Sequence, residues 1–181
     1  MLLCAGSNQQ NGWEGGDSVL PKERGVGFWN LGQKFVEAGD KLQPPISTLA
    51  FFPLFLLYGH GIELGLKAFL ISQGATEKEL RDIGHDLTRA LDAARAHPSF
   101  EPLREKDLQV IDLLNPYYQG KEFEYIVPGA KQWPQAGDLS SVAHRLLAVL
   151  RPIIWKAVQT HRDQGKTPAK PAADQGSSSD V

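Results

Sequence analysis

The stretch "YGHGIELGLKAF", residues Tyr58–Phe69, lies inside the most hydrophobic part of the chain, yet it carries a histidine, a glutamate, a lysine and three glycines. At 100° per residue, His60, Glu63 and Lys67 fall within an arc of about 60° on a helical wheel. The rest of the wheel is almost entirely Leu, Ile, Phe, Ala and Gly. A helix apolar on nearly every side is a central helix surrounded by others, so this segment predicts a helical bundle. Glu63 and Lys67 stand four apart with the acid first, the favourable order for an ion pair.

Three readings of the polar stripe stand side by side. It is an internal network joining helices, a binding or catalytic pocket, or a metal site in which His60, Glu63 and His85 supply two imidazoles and a carboxylate. Gly61 and Gly65 lie on another face. Each glycine costs about 1 kcal/mol against alanine within a helix, and close approach of a second backbone offsets that. They predict a packing seam, within the bundle or across a dimer.

Outward from this helix the period stays helical. A first helix is expected over Lys22–Leu42, with Phe28, Leu31, Phe35, Ala38 and Leu42 as its inward stripe. Pro44-Pro45 stops it, and the central helix covers about Ile46–Gly74. Thr76 and Glu79 form a capping box for a short helix over Glu77–Ile83. Asp86 or His85 opens the next, to about His97. Another runs from about Leu103 to Leu114, and Asp138 caps the last, Leu139–His161. The class is all-α: residues 1–21 a flexible arm, 22–163 the bundle, and 164–181 a disordered tail of low complexity.

The segment "RDIGHDLTRAL" sets Arg81, His85, Asp86 and Arg89 around a helix break. Capping explains it in one reading. In the other, the two arginines beside a helix start attract an anion such as phosphate. The segment "NPYYQGKEFEYIVPG" interleaves Tyr117, Tyr118, Phe123 and Tyr125 with Lys121 and predicts a long connection, extended at Phe123–Val127. It is read as an aromatic lid or as a base-stacking surface. Ser140, Ser141 and His144 are expected at surface or cap positions.

Composition excludes other classes. The 19 Lys+Arg against 21 Asp+Glu give a net charge of -2, not the basic balance of a nonspecific nucleic-acid binder. Cys4 is alone, so neither an internal disulfide nor a cysteine zinc site is expected. The start, "MLLCAGSNQQ", has no basic n-region and predicts no export leader. The apolar run Thr48–Ile71 is long enough to span a bilayer, but Glu63 and Lys67 would each cost about 2.5–3.5 kcal/mol at its centre. A cytoplasmic protein without membrane contact is expected.

Taken together, "HGIELGLKAFLISQG", "IGHDLTRAL" and "LNPYYQGKEFEYI" resemble HEPN-domain proteins, the higher eukaryotes and prokaryotes nucleotide-binding family, over about residues 25–160. The bacterial relatives carry a glutamate and lysine like those of "IELGLKAFL" and a "GHDL" turn in comparable places. The resemblance implies a four- to five-helix bundle, usually a homodimer, often encoded beside stress-response or anti-phage systems. Many members are metal-independent RNases marked by an arginine and a histidine separated by four to six residues. Here Arg81 and His85 are separated by three, Arg89 and His97 by seven, and Arg151 and His161 by nine. No catalytic residue is carried over. The expectation is a non-catalytic, dimeric interaction or nucleotide/RNA-binding module without cofactor or metal, with a protein partner as a further option. Its candidate binding cluster is His60, Glu63, Lys67, Arg81, His85, Asp86, Lys121 and Tyr125. The alternatives are an endoribonuclease using Arg81 and His85, and a structural scaffold.

Overall fold

In the computed structural model, residues 21–43, 51–101, 103–125 and 127–165 are described. They form six helices and no β-strand: α1 (Lys22–Lys41), α2 (Phe51–Ser72), α3 (Glu77–Ile83), α4 (Leu87–Arg95), α5 (Glu105–Gln119) and α6 (Ala136–Gly165). The chain is all-α, as its sequence predicts. The expected arm, the Pro44-Pro45 stop, the start of the second helix at 46–50 and the tail beyond 165 lie outside the described residues.

The helix α2 is the axis, in contact with α1, α4, α5 and α6. Leu54, Ile62, Leu66, Phe69 and Ile71 are fully enclosed, and burial of each such side chain contributes about 1.5–3 kcal/mol. By length and apolarity alone α2 could cross a membrane, but 78% of its most apolar window is covered by the bundle itself.

The first helix is rotated by about 100° from its predicted stripe, which leaves Phe28, Phe35 and Ala38 half-buried. Its buried face is Gly25, Trp29, Gly32, Val36 and Gly39, while Leu31 is 50% and Leu42 39% exposed. Backbone proximity decides this contact. A Cβ on Gly32 would lie 3.0 Å from the Gly61 carbonyl oxygen, and one on Gly61 would lie 2.5 Å from Val36 Cγ2. The seam predicted at Gly61 and Gly65 is therefore internal: Gly61 meets α1, and Gly65 meets Leu147 of α6. Trp29 locks the same corner, donating Nε1–H to the Leu147 carbonyl at 2.9 Å, with Arg151 over its ring.

Several boundaries differ from expectation, and the last helix runs over Ala136–Gly165 rather than Leu139–His161. The fifth helix continues past Leu114 and through Pro116 to Gln119, because its last turn carries Tyr118 into the core. Phe123 and Glu124 are not extended; Glu124 N–H and Tyr125 N–H both donate to the Lys121 carbonyl and close a turn. Phe123 is buried there against Phe55 and Trp133, so the connection closes one side of the bundle. Asp138 lies within the first turn of α6, where it pairs with Lys106 at 2.7 Å rather than capping.

Candidate functional site

Glu63 is 3% exposed, and a carboxylate taken out of water must be paired. Four side chains from three elements converge on it. Lys67, one turn on in α2, donates to Oε1 at 2.6 Å. Tyr118 of α5 donates its hydroxyl to Oε2 at 2.6 Å. His85, in the break between α3 and α4, reaches Oε2 through Nδ1 at 3.1 Å. His60 lies with Nδ1 3.5 Å from Oε2 and 3.0 Å from the Tyr118 hydroxyl.

Local sequence makes each placement. The capping box of Thr76 and Glu79 fixes the start of α3. Gly84, at φ +61, ends that helix in a conformation that disfavours side chains and turns its carbonyl to Lys67 at 2.6 Å. Asp86 caps α4 by accepting from Arg89 N–H at 3.0 Å, and its oxygens also take Asn115 and Gln119 of α5. His85 is thereby held between two anchored helix ends. Gly59 makes room for Tyr118, whose ring would lie 2.5 Å from a Cβ at that position.

Burial alone would raise the Glu63 carboxyl, but the neighbouring His60 imidazole, the hydrogen bonds from Lys67 and Tyr118 and the Lys67 charge hold it far below the usual carboxylate range. Burial, reinforced by the Glu63 charge, pushes the Tyr118 phenol well above its ordinary value. Glu63 is thus an anion and Tyr118 a neutral donor. A carboxylate only accepts hydrogen bonds, so His85 Nδ1 carries a proton and Nε2 has no partner among the described residues. With its one proton on Glu63, the Tyr118 oxygen accepts from His60 Nδ1–H.

His85 is 52% exposed in its side chain and lines two grooves. One, of about 390 Å³, runs between Arg24 and Phe28 of α1 and Leu80 and Arg81 of α3, with Glu77 at its rim. The other, of about 250 Å³, lies between Phe35, Leu56, Leu57 and Tyr118, with Lys121 and Glu124 at its edge. Arg24, Arg81 and Lys121 make no ion pair among the described residues.

Of the eight candidates, His60, Glu63, Lys67 and His85 form one network. Arg81 and Lys121 stand beside it in separate grooves. Asp86 turns to α5, and Tyr125 is 67% exposed, its side chain without a described contact. No group of three or more His, Cys, Asp or Glu among the described residues could hold a metal ion. Sequence reasoning did not single out Tyr118 from its aromatic neighbours. It also missed two further carboxylate hubs. Asp107 is 1% exposed and pairs with Arg104 and Arg145, which hold it below the usual carboxylate range. Asp40 joins Tyr58 and His144 across three helices. The spacing of Arg104 and Asp107 was a legible signal; the partners from distant helices left none.

Comparison with protein-family models, curated proteins and solved structures finds no match to this chain.

Proposed function

We propose that this chain is a non-catalytic, HEPN-like binding module whose ligand, a nucleotide or short RNA, lies in the two grooves either side of His85. One observation carries the reading: a half-exposed imidazole, anchored from below by Glu63, stands between apolar grooves edged by Arg24, Arg81 and Lys121, which have no ion-pair partner among the described residues. Aromatic walls from Phe28 and Phe35 suit base rings, and guanidinium groups suit phosphate. Glu63 itself is saturated by donors and acts as the anchor. The exposed stripe of α1, with Leu31 and Leu42, supports a homodimer as the working form, and a cytoplasmic setting and a role in stress response or phage defence go with the same family reading. The test is a binding screen against nucleotides, short RNA and candidate partner proteins. Saturable, salt-sensitive binding to nucleotide or RNA supports the proposal, and silence toward all three overturns it.

A second reading is favoured by the Glu63–His85 contact, because a carboxylate on Nδ1 orients an imidazole for proton transfer at Nε2. His85 is then general acid or base, and Arg81, in the same groove, stabilises phosphorane-like charge. RNA cleavage abolished in His85→Ala with the fold intact selects this reading over the first.

A further inference from the structure

Arg81 and Arg89 flank one helix start in sequence, but the fold sends them to different sites. Arg81 lines a groove with His85. Arg89 donates Nη1–H to the Asp82 carbonyl at 2.6 Å and lines a separate cavity of about 340 Å³ between the end of α2, α3 and α4. That volume is at the small end of small-molecule sites.

The cavity is chemically divided. Leu70, Ile83 and Ala93 supply apolar surface. Arg89 spends one nitrogen on the Asp82 carbonyl, and its other guanidinium donors have no partner among the described residues. The Asp82 carboxylate has no partner among the described residues, and Glu79 uses only Oε2 in the capping box, leaving Oε1. Gln73 is held in place by Ser72 and Ser99. A phosphate dianion entering here meets two carboxylates, and a simple cation meets Arg89. A molecule with one charge of each sign satisfies both walls.

We propose that this cavity binds a free α-amino acid with an apolar side chain. Its carboxylate sits on Arg89, its ammonium on Asp82 and Glu79, and its side chain on Leu70, Ile83 and Ala93. None of these residues belongs to the Glu63 network, so the site is independent of the nucleotide reading.

The test is an NMR titration of the full chain with L-leucine, L-leucinamide and N-acetyl-L-leucine, the last two each lacking one charge. L-Leucine gives saturable shifts at Leu70, Ile83, Arg89 and Ala93, and both derivatives bind at least about tenfold more weakly. Arg89→Gln removes the response, and so does Ala93→Leu, which fills the cavity. If Arg89→Gln does not fold, Ala93→Leu decides alone. Absence of a saturable shift with L-leucine, equal binding of N-acetyl-L-leucine, or an unchanged response in Ala93→Leu overturns the proposal.

Discussion

Tyr118, in the last turn of α5, donates its hydroxyl to the buried Glu63 of α2 at 2.6 Å across 55 positions of sequence. This contact joins the aromatic connection to the central helix and completes the shell that keeps Glu63 ionised. Its ring fills the space left by Gly59, so packing and hydrogen bonding fix the same side chain. Around it, His60 and His85 are both held through Nδ1, and His85 Nε2, between two grooves, has no partner among the described residues.

Removing the hub's charge leaves the enclosed Lys67 ammonium with the Gly84 carbonyl but no counter-charge among the described residues. Glu63→Leu is expected to destabilise the fold by about 3–5 kcal/mol, the cost of breaking a buried pair. Glu63→Leu combined with Lys67→Met restores much of that loss, because neither charge is then stranded. Urea unfolding of the three proteins measures both effects.

Stability should fall at both ends of the pH range. Glu63 has its folded-state value depressed, so its contribution is complete above its ordinary value of 4.5 and is lost as pH falls below it. Tyr118 has its folded-state value raised, so its contribution is complete below 10.0 and is lost as pH climbs past it. Tyr118→Phe removes its alkaline loss and costs about 1.5–3 kcal/mol at neutral pH through the hydrogen bond to a charged group. Thermal melts across pH follow both limbs.

Much of this architecture is legible in the residues. The wheel of Tyr58–Phe69 marks the central helix and groups His60, Glu63 and Lys67 correctly, and Thr76 with Glu79 marks the start of α3. The orientation of α1 is not legible from hydrophobicity. Phe28, Leu31 and Phe35 form the stronger apolar stripe, but Gly25, Gly32 and Gly39 permit closer backbone contact, and closeness wins. Likewise, nothing local pairs Tyr118 with Glu63 or Arg145 with Asp107, since such contacts arise only when distant helices dock.

Glycines with and without a close neighbour should respond oppositely to alanine. Gly59→Ala places a methyl against the Tyr118 ring and is expected to cost about 1–3 kcal/mol, as overpacking does. Gly27 faces open space within α1, so Gly27→Ala is expected to stabilise by about 0.5–1 kcal/mol through helix propensity. Chemical denaturation of both variants reads the two signs.

If the exposed stripe of α1 joins two copies, Leu31→Glu should shift the protein to monomer without unfolding it, because Leu31 is half exposed and outside the core. Light scattering with circular dichroism separates dissociation from unfolding.

The most direct measurement is fluorescence anisotropy of a labelled short single-stranded RNA titrated with the intact chain, alone and with Arg81→Ala and His85→Ala. Binding at the two grooves predicts a saturable signal that weakens with salt and falls at least about tenfold in each variant. A flat titration, or affinity unchanged in both variants, would contradict it.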